Sequence, residues 1–313
     1  MSMTTEEEEV ETMSHQVKWH SSPVYDLLAS LMAYYKCSKT FDLDDQWVKK
    51  VKNELNQDFV AELDSLSLPF PLIALLIWRC PDNTNVDAIL QWLDTLTAGE
   101  VFEQVSPFLL ENVPNDIGTI KKNMISVFKQ WHATYYKDHE INIQEILLQE
   151  RSRFENNVRD FGPEKTIEML CNGLIVEDHA ELKEVFLVPV YHTKPANVIF
   201  DDYKGFMIIL YPVEALEGND DMPPDSLMRM VKALSDEKRL RIMKILSSGN
   251  RSFSDLVEAM QLSKSNLHYH LSLLRTAGLI TVHHVPFSNQ DKFGIRTGVF
   301  DDVKLMLENY VQN

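Results

Sequence analysis

The stretch LSKSNLHYHLSLLRTAGLI, residues 262–280, decides how the last third of the chain folds. Three leucines recur in it at helical spacing, which predicts one face packed on a core: Leu267, Leu271 and Leu274. Ser263 stands before this run as a helix cap would, and Gly278 follows it as a left-handed terminator would. The stretch therefore predicts an amphipathic helix over residues 264–276.

Two histidines in this helix, His268 and His270, look at first like a metal-binding pair. Residues two apart on a helix point about 200° away from each other, because each residue turns the chain by about 100°. One ion held by a single helix needs the spacing i, i+4 instead. We therefore expect no metal here. His270 is expected beside the core in a supporting role, and His268 on the outer side.

Cap and turn signals surround this helix on both sides. Upstream, DSLMRMVKALSD and EKRLRIMKILSSG predict two helices, the second capped by Asp236, and DLVEAM predicts a third, capped by Ser252 or Ser254. Downstream, LITVHHV and FGIRTGVF predict two strands around a polar turn, and DDVKLMLENYV predicts a last helix. Three helices, a short turn into a fourth and a β-hairpin make a winged helix-turn-helix over residues 226–313.

The segments ALSDEKRLRIMKIL and SFSDLVEAMQLSKSNLHYHLSLLRTAGLI together resemble the ArsR/SmtB-type bacterial transcription regulators. That family shows an ALSDxxRLxIL helix followed by an LSxSxxSxHLxxLRxAGLV segment, and the likeness covers about residues 226–285. The resemblance implies double-stranded operator DNA as a partner, a homodimer, and repression as the commoner mode.

Metal sensing is where this chain departs from the family pattern. Metal-sensing members carry Cys-x-Cys on the third helix, where this chain reads SFSDL, and others place Asp and His ligands on the last helix. Here the last helix offers Asp301, Asp302 and Glu308 and no histidine. We therefore expect a regulator of the ArsR type that is not a thiolate metal sensor, with no metal and no cofactor.

The outer face of the fourth helix and the wing hairpin are the predicted DNA-binding surface, because a helix fits the roughly 12 Å major groove. The candidate DNA-binding residues are Lys264, Ser265, Asn266, His268, Tyr269, Arg275, Lys292 and Arg296.

The candidates have different expected roles. His268 and Tyr269 are expected to face DNA, the alternative being a solvated or phosphate-only role. Asn266 can contact adenine, but local capping or exposure to water is an equal alternative, and Ser265 can bond bases or phosphate. The basic candidates are expected to contact phosphate: Lys264, Arg275, Lys292 and Arg296. For Arg239 and Arg241 a phosphate contact and a surface salt bridge stay open.

Charge divides the chain in two. Residues 221–313 carry a net charge of +2 and residues 1–220 carry −19, which together give the net charge of −17. Such an asymmetry hints at nucleic acid, and 313 residues suggest two domains at about 150 residues each. We predict a disordered acidic tail over residues 1–14, a helical N-terminal domain over 15–213 and a linker over 214–225.

The predicted fold class is mainly α: a helical N-terminal domain with a small antiparallel β element, followed by a C-terminal winged helix-turn-helix. The β element rests on two apolar runs bounded by Pro and Gly, EVFLVPVYH and KGFMIILYPV. A break near Lys137–Glu140 is predicted between two longer helices. His132 and His139 would share a face if the helix continued, as part of an aromatic-rich surface rather than a metal site.

Known catalytic and nucleotide-binding motifs are absent from the sequence, so no enzyme is predicted. The three cysteines are far apart, which fits a reducing compartment. The acidic start lacks the features of a signal peptide, and the most apolar run, PFPLIALLIWRC, is too short to cross a bilayer. We therefore expect a cytoplasmic protein with no membrane partner.

Two functions remain open from the sequence. The leading hypothesis is a bacterial DNA-binding transcriptional regulator whose N-terminal domain supplies dimerisation, sensing of a small-molecule or protein effector, or both. On the last helix, Val303, Leu307 and Tyr310 would form a dimer contact stripe. The alternative is a ligand- or partner-binding protein whose winged helix mediates protein interaction, which the low positive charge keeps open.

Overall fold

The computed structural model describes residues 15–35, 43, 45–213 and 222–312, and it is mainly α, as predicted. Its helices are α1 (Pro23–Tyr35), α2 (Asp45–Glu54), α3 (Gln57–Ser65), α4 (Phe70–Arg79), α5 (Val86–Thr95), α6 (Ala98–Val105), α7 (Ile117–Trp131), α8 (Lys137–Phe161), α9 (Pro163–Leu170), α10 (Asp225–Leu234), α11 (Glu237–Leu246), α12 (Phe253–Met260), α13 (Lys264–Thr276) and α14 (Val299–Gln312). Its strands are β1 (Gln16–Trp19), β2 (Leu174–Val176), β3 (Glu184–Val190), β4 (Val198–Phe200), β5 (Phe206–Pro212), β6 (Arg251–Ser252), β7 (Ile280–His284) and β8 (Lys292–Ile295). The predicted acidic tail, residues 1–14, and most of the predicted linker lie outside the described residues.

Helix α1 runs through the middle of the N-terminal part, and all of its residues from Pro23 to Tyr34 are buried. A helix that is apolar on all sides must be covered on all sides, and α4, α8 and the first sheet do this. Its one buried carboxylate, Asp26, accepts hydrogen bonds from the backbone N–H groups of Tyr191 (2.6 Å) and His192 (3.1 Å). Its second oxygen lies 2.8 Å from Nδ1 of His192, so both oxygens of this buried carboxylate have hydrogen-bond partners.

No single helix within the described ranges is both long and apolar enough to span a membrane. Helices α3 and α4 meet the length and composition criteria only as a pair, with a bend of 103° between them.

The first sheet has the strand order β1-β3-β5-β4, and its two long strands run parallel. The prediction of a small antiparallel β element is therefore wrong for β3 and β5, whereas β4 does pair antiparallel to β5. The connection over residues 191–205 is long enough for a crossover, which parallel neighbours require. The near-continuous apolar runs of β3 and β5 are typical of parallel strands covered on both faces.

Helices α7 and α8 are joined without a break by a π-helical turn, His132–Tyr136, so the predicted break near Lys137–Glu140 is wrong. Nε2 of His132 lies 3.0 Å from a carboxylate oxygen of Glu140. Tyr136 is buried and donates to the carbonyl oxygen of Pro23, which ties the turn to the start of α1.

The second sheet, with the order β2-β7-β8-β6, combines the wing hairpin with one strand from the N-terminal part. Strand β2 pairs parallel with β7, so that Leu174 stands opposite Val282 and Val176 opposite His284. The side chain of Val282 also belongs to a core cluster built mainly from α9, β2, β3 and β5. The winged module therefore shares both a sheet and a core with the N-terminal part.

Candidate nucleic-acid interface

Helix α13 spans Lys264–Thr276, which confirms the predicted bounds. The Ser263 hydroxyl accepts a hydrogen bond from the backbone N–H of Asn266 at 3.3 Å and so caps the helix. Gln261 closes α12 in the left-handed region, with φ of 53°, and makes the tight turn into α13. Gly278 follows α13 with φ of 66°, as a left-handed terminator should.

The first half of α13 presents one polar, exposed face. Five of the predicted DNA-binding residues lie on it: Lys264, Ser265, Asn266, His268 and Tyr269. Tyr269 is 43% exposed, a large fraction for an aromatic ring on the surface of a folded module. The opposite face is buried in the core of the module and carries Leu267, Leu271 and Leu274, as the spacing predicts.

Several caps and turns hold α13 in this orientation. Asp236 caps α11 by accepting a hydrogen bond from the backbone N–H of Arg239 (3.0 Å), and Ser252 forms a capping box with Asp255. Arg239 is buried and donates to the carbonyl oxygens of Ala233 (2.6 Å) and Lys232 (2.7 Å), so it closes the end of α10. Of the alternatives for Arg239, a phosphate contact does not fit this placement.

Lys292, the predicted phosphate partner on the wing, is exposed at the start of β8. Strand β8 pairs with β7 on one side and with the short strand β6 on the other, where Ser252 stands opposite Lys292. Because Ser252 also caps α12, the lysine is anchored to the helix-turn-helix and not only to the hairpin.

Arg275 and Arg296 do not join the exposed face, which is at odds with their predicted phosphate contacts. Arg275 turns toward the N-terminal part, where Nη2 donates to the carbonyl oxygen of Asn197 at 3.2 Å. Burial lowers the pKa of the Arg275 guanidinium, and the nearby Asp291 carboxylate opposes that effect. Nε of Arg296 lies 3.8 Å from a carboxylate oxygen of Glu168 in α9.

The histidines of the module have separate surroundings. His270 is buried, with Nδ1 3.8 Å from the Asp236 carboxylate, and burial lowers its pKa. His283 lies 2.7 Å from Glu177, directly after β2. No local spacing in the sequence could have paired His283 with a carboxylate so far upstream.

His284 is buried between two carboxylates, one from each part of the molecule. Its Nδ1 lies 3.0 Å from Asp291 in the wing, and its Nε2 lies 3.4 Å from Asp201 in the N-terminal part. Burial alone would lower the pKa of His284, but the two carboxylates outweigh burial and raise it to about 9. The imidazolium thus acts as a charged link between the wing and the N-terminal part.

Residues 236–282 match the sequence model described as "Bacterial regulatory protein, arsR family". Two relatives from Bacillus subtilis (strain 168) are similar to this region. The "Arsenical resistance operon repressor" is 45% identical over 51 residues, which are 16% of this chain and 49% of that protein. The "Transcriptional repressor SdpR" is 35% identical over 52 residues, which are 17% of this chain and 58% of that protein.

Among solved structures, the transcriptional regulator HlyU from Vibrio vulnificus CMCP6 is 30% identical, with a TM-score of 0.22, and the match covers 26% of this chain and 85% of HlyU. The chain spans only about half the length of the two Bacillus relatives that it matches. The match to the sequence model falls on the winged module described above. Residues 236–282 of this chain form an ArsR-family helix-turn-helix domain.

Proposed function

We propose that this protein is a bacterial DNA-binding transcriptional regulator in which α13 enters the major groove. The observation that carries the proposal is the exposed face of α13, where five polar side chains lie together in the first half of the helix. The positive end of the helix dipole lies at the same end, which favours an approaching phosphate backbone. In helix-turn-helix proteins the first residues of the second helix are those that contact base edges.

The residues on this face divide into reading and positioning roles. Asn266 can form two hydrogen bonds with the N6 and N7 edge of adenine, and His268 and Tyr269 reach the same groove. Lys264 and Lys292 hold the phosphates on either side, which fixes the register without specifying sequence. Ser265 forms a hydrogen bond with either a base edge or a phosphate. Arg275 and Arg296 are outside this set, because their side chains contact the N-terminal part.

A homodimer is part of the proposal, and α14 is its expected interface. Leu307 and Tyr310 on this helix are 40% and 38% exposed, and Val311 is 77% exposed. Val303, the first residue of the predicted stripe along the chain, is only 9% exposed and packs in the core of its own module. The dimer contact would therefore begin about one turn later on α14, and two modules would address half-sites roughly 34 Å apart.

Repression, and the absence of thiolate metal sensing, are further parts of the proposal. Both Bacillus relatives carry the word repressor in their names. The segment that opens α12, residues 252–256, contains no cysteine to serve as a thiolate ligand. The N-terminal part would then respond to a different effector.

The proposal is tested by fluorescence anisotropy with the DNA upstream of the protein's own gene, at two salt concentrations. We expect selective binding that falls steeply with salt, because bound phosphates release counterions. Lys264→Ala and Lys292→Ala should each weaken binding to all sequences and reduce the salt slope by about 1. Lys129→Ala, an exposed lysine on α7, is the matched control and should bind like the wild type.

Variants of the reading face separate groove binding from simple charge attraction. His268→Ala combined with Tyr269→Ala should reduce the preference for the selected site over random DNA, while the protein remains folded. Unchanged preference in this variant would place the reading face elsewhere. Absence of any DNA binding at low salt would overturn the proposal.

A protein-interaction role for the winged module is the second candidate. The net charge of only +2 over residues 221–313 favours it, because most DNA-binding modules are more basic. The pairing of β7 with β2 is also an example of the strand addition that interaction modules use. The low-salt DNA measurement decides between the two functions.

A further inference from the structure

A pocket of about 440 Å³ lies in the N-terminal part, where α1, the connection from α3 to α4 and strand β4 meet. Its volume falls within the range of ordinary small-molecule sites, roughly 300–1,000 Å³. The side chains that line it are mainly apolar, among them Met32, Tyr35, Leu66, Leu68, Val198 and Phe200. The pocket therefore has the size and the lining of a site for a small molecule.

The polar groups in the walls of this pocket are bonded to the protein itself. The Tyr35 hydroxyl donates to the carbonyl oxygen of Leu63 at 2.9 Å, so its ring is the part that serves as wall. The carbonyl oxygen of Pro71, at the start of α4, accepts a hydrogen bond from the buried Tyr203 hydroxyl at 2.6 Å. These bonds hold the walls in place and leave an apolar surface for a ligand.

The charge around the pocket is negative. Asp202 lines it and is exposed, and burial and the nearby carboxylates of Asp201 and Glu111 raise the pKa of Asp202. The described residues of the lining include no lysine, arginine or histidine. The net charge of −19 over residues 1–220 acts in the same direction. Such a potential disfavours an anionic ligand.

Strand β4 forms one wall of the pocket and contacts the winged module at both of its ends. Just before the strand, the carbonyl oxygen of Asn197 accepts a hydrogen bond from Nη2 of Arg275 in α13. Just after it, the Asp201 carboxylate accepts one from the backbone N–H of Phe287 (3.1 Å) and lies 3.4 Å from Nε2 of His284. All three residues of β4 line the pocket, so a ligand there would touch the strand between its two contacts.

We propose that this pocket binds an uncharged, mainly apolar small molecule and that β4 transmits its presence to the winged module. Strand β4 is an edge strand with three residues and a single neighbour, β5, so little pairing has to change when it moves. A ligand changes DNA affinity only if it prefers one of two arrangements of the module. This regulatory step rests on the proposed DNA-binding function, whereas the pocket itself does not.

The pocket is tested by fluorescence titration of the full chain without DNA, using the uncharged dye N-phenyl-1-naphthylamine. A related dye that carries a sulfonate, 8-anilinonaphthalene-1-sulfonate, is the anionic probe. We expect one saturable site per chain for the uncharged dye and binding about tenfold weaker for the anionic one. No saturable binding of the uncharged dye would overturn the site, and equal affinity for the two dyes would overturn the exclusion of anions.

Leu66→Trp, which fills the pocket, should weaken binding of the uncharged dye by tenfold or more. Leu96→Trp is the matched control, because Leu96 ends α5 as Leu66 ends α3, with a similar extended backbone. Both leucines pack against the same core, but only Leu66 lines the pocket. The control should bind the dye as the wild type does. Equal weakening by the two substitutions would mean that the dye does not occupy this pocket.

Asp202→Asn locates the dye without disturbing the core, because Asp202 is exposed. It should strengthen binding of the anionic dye several-fold and leave that of the uncharged dye unchanged. This variant keeps the test decisive if Leu66→Trp does not fold. An unchanged ratio of the two affinities would contradict the assignment of the dye to this pocket.

Transmission through β4 has its own readout in hydrogen–deuterium exchange. The uncharged dye at saturation should slow exchange over residues 280–287 of the wing, but not over residues 253–260, in the wild type and not in Leu66→Trp. No change in the wild type, or the same change in both proteins, would overturn the transmission.

The effect on DNA is measured last. The dye at saturation should shift the DNA affinity of the wild type at least fivefold and leave that of Leu66→Trp unchanged. The same response in both proteins would overturn the regulatory step. Failure of all DNA binding, with the dye titrations intact, would overturn the proposed function and leave the pocket standing.

Discussion

The two ends of α13 have opposite surroundings. At the first end, Lys264 to Tyr269 present polar side chains to solvent, and the caps of the neighbouring helices hold this end in place. At the second end, Arg275 contacts a carbonyl group of the N-terminal part, and Thr276 to Gly278 line a cleft between the N-terminal part and the winged module. One short helix thus carries a surface available for a partner and an anchor to its own chain.

The difference teaches that residues of one motif need not share one role. Lys264 and Arg275 are both basic and lie on the same helix, yet only Lys264 is exposed on the polar face. If the second end is an anchor, substitutions there should alter the stability of the fold, whereas substitutions at the first end should alter only the binding of a partner.

The largest expected effect comes from Gly173, next to the strand that joins the two parts. Gly173 has φ of 85°, and an added Cβ would lie 2.7 Å from the carbonyl oxygen of Ile280 in β7. Gly173→Ala should lower the free energy of unfolding by roughly 3 kcal/mol, through backbone strain and the clash together. Urea unfolding followed by circular dichroism measures the loss.

Gly298→Ala separates the two contributions. Gly298 has a similar φ of 78°, but an added Cβ would meet no atom within 4 Å. This variant should therefore lose only about 1 kcal/mol, the cost of the backbone strain. Equal losses in both variants would mean that the contact between Gly173 and β7 contributes nothing.

The second effect in size is the pH dependence of the link at His284. Its pKa of about 9 in the folded protein exceeds the ordinary value of 6.5, so protonation favours the folded state. The stabilisation should be fully present below pH 6.5 and should be lost as the pH rises through about 9. We expect a loss on the order of 2 kcal/mol over this range, measured by urea unfolding at several pH values.

His284→Gln is the control for this titration, because a neutral amide cannot take up the proton. The variant should be less stable than the wild type near neutral pH, and its stability should change less between pH 6.5 and 9. If the wild type and the variant show parallel pH profiles, His284 is not the group responsible.

A smaller effect is expected at Arg275. Arg275→Ala removes the donor to the carbonyl oxygen of Asn197 and should lower the free energy of unfolding by about 1–2 kcal/mol. Lys264→Ala, at the other end of the helix, should change it by less than about 0.5 kcal/mol. Thermal unfolding of both variants measures this difference. Equal stability of the two variants would mean that the contact of Arg275 with Asn197 does not stabilise the fold.

The smallest effect on stability is expected at Tyr269. The side chain is 43% exposed, so Tyr269→Ala should change the free energy of unfolding by less than about 0.5 kcal/mol. The same variant should reduce discrimination between the selected DNA site and random DNA, by about 1–3 kcal/mol if the ring reads a base edge. A large loss of stability instead would show that Tyr269 supports the fold.

The winged module could be predicted closely from the sequence, because its signals are local. Caps at Asp236, Ser252 and Ser263 lie next to the helices that they begin, and the leucine spacing of α13 specifies its buried face. The exposed first half of α13 was predictable for the same reason. Each of these features depends on residues within one or two helical turns.

The junction between the two parts could not be predicted, because it depends on contacts between distant segments. Nothing near Arg275 in the sequence indicates a bond to Asn197, and nothing near His284 indicates Asp201. The parallel pairing of β3 and β5 is similar, since their apolar runs specify burial but not direction. The sequence shows which charged residue stands in a motif, but the residue that it contacts depends on the tertiary fold.

The pairing of β2 with β7 has a consequence for where this molecule can be divided. The Pro-rich segment before α10 is the natural place to cut the chain by sequence, but a cut there separates the wing from the strand that covers its edge. Residues 222–313 alone would present the N–H and C=O groups of β7 as an open edge, which invites pairing with another copy. The boundary between the two parts of the folded molecule therefore differs from the boundary that the sequence suggests.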